Sequence, residues 1–226
     1  GGTGFFGGFI DYLDMLNNRC QTRVPADVNV CRNGSSAQPN ENFAREILQL
    51  FSIGTFMMNQ DGTYQTSGGQ PIPTYDQAKI EEFARVFTGW VLAPPLRGVG
   101  GDVPNYKVPM VVRRNSQNQE MHHDRGAKTL LNGAIIPAGT DAEVELNLAI
   151  DNIVSHTNVA PFISKQLIRH LVTANPSPAY VGRIAAVFTA NINAANQLGL
   201  VIKAILMDSE ARTVPDSAVD PDAGKL

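Results

Sequence analysis

Two short stretches carry most of the residues that could do chemistry. Asn40-Glu41-Asn42-Phe43-Ala44-Arg45-Glu46 places two acids, an arginine and two amides on one predicted helix. His122-His123-Asp124-Arg125-Gly126-Ala127-Lys128 packs two imidazoles, a carboxylate and a lysine beside a glycine. Residues four apart share a helical face, so Glu41 meets Arg45 and Asn42 meets Glu46. In a structural reading Glu41–Arg45 is an ion pair and the asparagines satisfy backbone groups, with Arg85 able to join. In a functional reading Glu46 or Glu41 is a general acid/base or an oxygen ligand.

Neighbouring side chains of an extended segment point to opposite faces, so His122 and His123 do not share one ion. His123 with Asp124 is the better pair, for proton transfer or for a divalent metal. Gly126 permits a tight turn and Lys128 could counter a substrate anion. The structural alternative is a histidine bonded to a neighbouring carboxylate that clamps the loop. His156 and His170 read as cap or surface residues of helices. Trp90 reads as a carbohydrate-binding wall or, more simply, a cap on the core. No Gly-x-Ser-x-Gly, phosphate-binding loop or dinucleotide fingerprint occurs.

The elements that must position these groups are mainly helical. Asp11 to Leu16 reads as a helix end. Pro39-Asn40 predicts a helix start with Asn40 as N-cap. Phe43, Ala44, Ile47, Leu50 and Phe51 form its apolar face, Asn42, Arg45, Glu46 and Gln49 its polar face, and Gly54 its stop. Thr74 with Gln77 predicts a capping box ahead of a helix burying Ile80, Phe83, Ala84 and Phe87. Residues 91–140 are rich in proline, glycine and short β-branched runs, which predicts loops with a small β-hairpin or two. Helices return near Asp141–Ser155, Asn158–Val172, Pro178–Thr189 and Asn193–Met207, Ser177-Pro178 giving one of them its cap. The fold class is therefore mainly α: a multi-helix core with an irregular, partly β insertion around 91–140. Residues 1–213 are expected to form one helical domain and 214–226 an extended tail.

At 226 residues the chain can bury about 70% of its unfolded surface and needs no metal or disulfide to cohere. A net charge of −3 offers nothing to neutralise phosphates, so no nucleic-acid partner is expected. No apolar run approaches the ~20 residues of a membrane span. Gly1-Gly2-Thr3-Gly4 reads as a cut end without a visible signal peptide. The two cysteines, Cys20 and Cys31, fit no zinc pattern. They read either as a disulfide, contributing ~3 kcal/mol and arguing for an oxidising compartment, or as two unrelated thiols.

Four separated motifs together resemble one bacterial family, the domain of unknown function 1800. They are Asn40 to Glu46, Phe83-Ala84-Arg85-Val86-Phe87-Thr88-Gly89-Trp90, His123 to Leu130, and Asn158 to Leu167; Asp208 to Arg212 adds a fifth likeness. The resemblance runs from about Asn40 to Leu226. It implies a longer protein whose N-terminal part is absent here, exported, and encoded beside a sulfatase-like protein as possible partner. The family commonly has Glu then Leu-His where this chain has Gln49, Leu50 and Phe51, so no role is carried over to those positions. The resemblance brings no reaction with it.

Two functions are expected. The first is an exported (periplasmic or secreted) hydrolase acting on an extracellular polymer or ester, metal-assisted if His123 and Asp124 hold a divalent ion. There Glu46 or Asp124 activates water, His123 binds metal or shuttles protons, and Arg45 or Lys128 stabilises developing negative charge. The second is a non-catalytic surface-assembly or partner-binding module in which the same residues lock the insertion to the helical core. A cleft reading requires Arg45 or Glu46 to meet the stretch His122 to Lys128.

Overall fold

The computed structural model describes residues 39–98, 101–105 and 108–213. The helical segment expected at Asp11–Leu16, the Cys20–Cys31 pair and the tail from Val214 lie outside the described residues. The helices are α1 (Asn42–Gln49), α2 (Gln77–Val86), α3 (Ala142–Val154), α4 (Val159–Leu171), α5 (Pro178–Ala190), α6 (Gln197–Met207) and α7 (Ser209–Arg212). Between them lie four short antiparallel pairs: β1 (Thr66–Ser67) with β2 (Gln70–Pro71), β3 (Trp90–Val91) with β6 (Val111–Val112), β4 (Ala93–Gly98) with β5 (Gly101–Asn105), and β7 (Lys128–Thr129) with β8 (Ile135–Ile136). The chain is mainly α with a small β insertion, as its patterning predicts.

The molecule divides into two compact units. The first holds the described part of Gly1–Ile47 and Tyr75–Ile153; the second holds Leu48–Thr74 and the described part of Val154–Leu226. In the first, α2 buries Ile80, Phe83, Ala84 and Val86 and packs against β7. Phe87 meets Phe43 edge-on at 4.9 Å. α3 turns Ala142, Glu145, Ala149 and Ile153 inward. In the second unit α4, α5 and α6 pack together around Ile168, Tyr180, Ile184, Ala185, Val201 and Ile205, all essentially without solvent contact.

Several local expectations are corrected. Asn40 Oδ1 accepts from the amide of Asn42, so it supports the start of α1 from one position further out. Leu50 and Phe51 are each half exposed, because α1 ends at Gln49 and the following turn swings them off the core face. Leu48 and Ile53 are buried instead, and the amides of Ile53 and Gly54 both reach the Leu48 carbonyl. Gly54 has φ +70°, and a Cβ there would lie 2.6 Å from the Phe162 ring, so only glycine fits this stop. The capping box is replaced by Asp76, whose side chain accepts from the Lys79 amide; the Thr74 hydroxyl is spent on the Gly54 carbonyl. Finally, α6 starts at Gln197 rather than Asn193, since turns closed by Asn191 and Ala194 carry the chain around the corner first.

Candidate functional site

The second and third sequence motifs meet in the first unit and form one buried charge cluster. Arg85 ends α2 on its inner side and grips Asp124 with two hydrogen bonds, Nε to Oδ2 and Nη2 to Oδ1, each 3.0 Å. Its Nη2 also reaches the Ala127 carbonyl, and its Nη1 lies 2.6 Å from Glu82. Asp124 Oδ1 accepts from the Gly126 amide at 2.8 Å, which closes the turn that the glycine permits. Lys128 directs its ammonium to the carbonyls of Asp124 and Gly126 and to the carboxylate of Glu145 on α3, 2.7 and 2.8 Å from its two oxygens. The side chains of His123, Asp124, Lys128 and Glu145 have no exposed surface at all.

Thr88 and Gly89 fasten the same loop by its backbone. The Thr88 hydroxyl donates to the Arg85 carbonyl and accepts from the Asp124 amide. Gly89 has φ +83°, and a Cβ there would stand 2.9 Å from the His123 nitrogen, so glycine is needed for both conformation and contact. With its one proton committed, the Thr88 hydroxyl can only accept from His123 Nδ1, 3.2 Å away, and the Thr88 carbonyl lies 3.0 Å from the same nitrogen. The hydrogen-bond network therefore assigns the ring proton to Nδ1. Nε2 then faces Glu145 Oε2 at 3.3 Å. Neither atom has a well-directed hydrogen bond, since the Lys128 ammonium is angled to serve Oε1.

Burial and charge oppose each other here. Burial pulls the Arg85 guanidinium down, yet the bonds and charges of Asp124 and Glu82 carry it above its ordinary value. For Lys128 burial wins: the ammonium lies below its ordinary value despite the pull of Glu145 and Asp124. Next to this cluster Glu120, almost fully buried, takes Arg114 and Arg125 and accepts from the amide of Ala142, the first residue of α3. A carboxylate at that position offsets the helix dipole.

Five residues were expected to carry catalysis, and the structure brings together only three of them, His123, Asp124 and Lys128. Arg45 bonds Glu41 at 2.8 Å and Gln77 at 3.2 Å, on a partly exposed face. No hydrogen bond or ion pair among the described residues joins Arg45 or Glu46 to residues 122–128. The expected meeting of the two motifs is therefore not made through hydrogen bonds or ion pairs. Arg45's guanidinium is satisfied by its own helix and by the start of α2. Glu46 keeps one enclosed oxygen, Oε2, with no hydrogen-bond partner among the described residues. Its neighbour Tyr75 has a hydroxyl held above its ordinary value by burial, with Arg45 drawing it down and Glu46 pushing it up.

His123 and Asp124, the expected metal ligands, turn to different partners, one to Thr88 and Glu145 and the other to Arg85. No group of three or more His, Cys, Asp or Glu among the described residues is arranged to hold a metal ion. Trp90 is buried, so its ring is part of the interior rather than a wall for sugars. His156 is also buried rather than at the surface, and burial pushes its imidazole below the ordinary value.

Sequence reasoning missed Glu145, Glu120 and Thr88. Glu145 left a signal: it lies in phase with Ala142, Ala149 and Ile153, a carboxylate on an otherwise apolar stripe. Asn158 stands just ahead of α4, but its side chain makes no capping bond. It accepts from the Met58 amide and donates to the carbonyls of Ile53 and Phe56, pinning that loop within the second unit.

A mainly helical domain with its signature polar residues turned inward is the class that fold and site define. Over residues 9–224 the chain matches the family described as Protein of unknown function (DUF1800), and it belongs to that family. No curated protein and no solved structure matches it.

Proposed function

We propose that this chain is an exported, periplasmic or secreted, non-catalytic module for surface assembly or partner binding, in which the Arg85 and His123 motifs are an internal lock. One observation carries the reading: His123, Asp124, Lys128 and Glu145 are wholly buried and share two cations and two anions with Arg85. A polymer or ester chain cannot touch groups in that position. A buried charge with its partner removed costs several kcal/mol, so the arrangement resists opening. Export rests on reading Cys20 and Cys31, in a polar, turn-rich loop, as a disulfide and on the family likeness, which also implies a sulfatase-like protein as the partner. No helix among the described residues is long and apolar enough to cross a membrane.

Hydrolysis is the second reading, favoured by the imperfectly bonded His123 Nε2 and Glu145 Oε2, an acid/base couple with spare capacity. Amide hydrogen exchange separates the two. A lock predicts that the amides of 123–128 exchange only with global unfolding. Exchange of that loop through frequent local opening, together with turnover of ester or polysaccharide substrates, would overturn the lock.

A further inference from the structure

The second unit contains a cleft of about 160 Å³ lined by Met58, Tyr64, Phe162, Lys165, Gln166 and Arg169. A void of about 150 Å³ is enough to hold a benzene-sized ring. Its inner wall is apolar, since Met58 and Phe162 are both buried core residues. Its rim is cationic. Lys165 and Arg169 stand one helical turn apart on α4, so their side chains share a face.

Both cations keep N–H donors to spare. Lys165 makes a single hydrogen bond, to the Gly62 carbonyl at 2.9 Å, and lies 5.8 Å above the Tyr64 ring, which leaves two N–H donors. Arg169 forms no hydrogen bond or ion pair among the described residues and offers its whole donor fork. Asp61, the acid whose charge acts on Lys165, has one carboxylate oxygen, Oδ1, taken by the amide and hydroxyl of Thr63. Lys165 and Arg169 repel each other, and Asp61 offsets that repulsion only in part.

We infer that this cleft binds a small ligand made of one six-membered ring carrying an oxyanion, the ring against Met58 and Phe162 and the oxyanion between Arg169 and Lys165. The oxyanion would be a carboxylate, sulfate or phosphate, and the ring either aromatic or a sugar. The state of Lys165 agrees: burial and the neighbouring Arg169 both hold its ammonium below the ordinary value, against Asp61, and an arriving anion relieves that. This site is independent of the lock in the first unit.

The test is an NMR titration of the intact chain, following the Met58 methyl and the Arg169 Nε–H. Benzoate, phenyl phosphate and glucuronate are the probes, with benzyl alcohol and inorganic phosphate as controls. At least one ring-borne anion should shift both signals with a common affinity, and the better of benzoate and glucuronate tells aromatic from sugar. Arg169→Gln should weaken it roughly tenfold or more, as loss of a charged hydrogen bond implies, with the melting temperature unchanged because Arg169 is exposed. Benzyl alcohol binding as tightly would overturn the inference. So would inorganic phosphate shifting Arg169 while no ring probe moves Met58, which is an adventitious ion only. Silence at both signals with every probe also ends it.

Discussion

Replacing Asp124 by asparagine keeps the shape of the side chain and removes one charge from the centre of the lock. If the new NH2 takes the place of Oδ2, it faces the Arg85 Nε–H, 3.0 Å away, donor against donor. If it takes the place of Oδ1, it faces both Arg85 Nη2 and the Gly126 amide, now at 3.0 and 2.8 Å. Either way the guanidinium loses its fully buried counter-ion and keeps only the part-exposed Glu82, and Lys128, 3.8 Å from Oδ1, loses a second anion. Removing one partner of a buried pair costs about 3–5 kcal/mol. For a chain of this size that is roughly 6–20 °C of melting temperature.

Urea unfolding followed by circular dichroism measures the loss, and Arg45→Gln is the control. The Arg45–Glu41 pair is over a third exposed on its arginine side and should change stability by less than about 1 kcal/mol. The double variant Arg85→Met, Asp124→Leu should recover much of the loss, because the lone charge is gone. An Asp124→Asn protein within 1 kcal/mol of wild type would refute the reasoning. It would mean that the cluster opens to water in solution.

Further outcomes follow from single residues. Gly89→Ala should cost ~1–2 kcal/mol from the left-handed backbone alone, and more from the 2.9 Å approach to His123, measured by the same unfolding curves. Asn158→Ala strands the Met58 amide and the Ile53 and Phe56 carbonyls, so a loss of about 3 kcal/mol or more is expected, with raised exchange at the Met58 amide. His156 has its folded value pushed below 6.5 by burial, so the unfolded chain binds its proton first as the pH drops. Its contribution is complete above about pH 6.5 and is lost as the pH falls through the folded value. His156→Asn should flatten that part of the stability–pH curve, and an unchanged slope would remove the assignment. Cys20 and Cys31 should be found joined by mass spectrometry of protein taken from its native compartment without reductant; two alkylatable thiols there would remove that argument for export.

The helical frame was legible because apolar spacing and caps are local signals. Ser177-Pro178 starts α5 as expected, and the Ser177 hydroxyl caps the Tyr180 amide. Boundaries failed where a side chain answers to a distant partner. Thr74 serves Gly54, Asn158 serves Met58, and neither could be known from its own neighbours. The partners of the candidate site residues were hidden in the same way. Clustered charge in a sequence looks alike whether it lines a cleft or fills an interior, and burial depends on what packs on top. Only Glu145, out of place on an apolar helix face, foretold that Lys128 and His123 would have an acid waiting inside.

That distinction bears on why such a lock exists at all. A buried ion pair is weak support for stability, since apolar residues of similar volume often do as well or better. Its use lies in selection among alternatives. The described residues from Trp90 to Thr140 make short strand pairs and one 3-10 turn, and present many backbone groups that regular structure does not satisfy. Apolar packing alone would tolerate many arrangements of such a loop, because hydrophobic contact has no direction. The lock has direction: Asp124 accepts Arg85 in one bidentate geometry, Gly89 admits the His123 backbone at one distance, and Lys128 binds two loop carbonyls while pointing at one carboxylate. Each bond is satisfied only in the one register that satisfies the others. A surface presented by this segment is thereby held in one shape, which is what a binding module requires and what a chain of loops cannot otherwise supply.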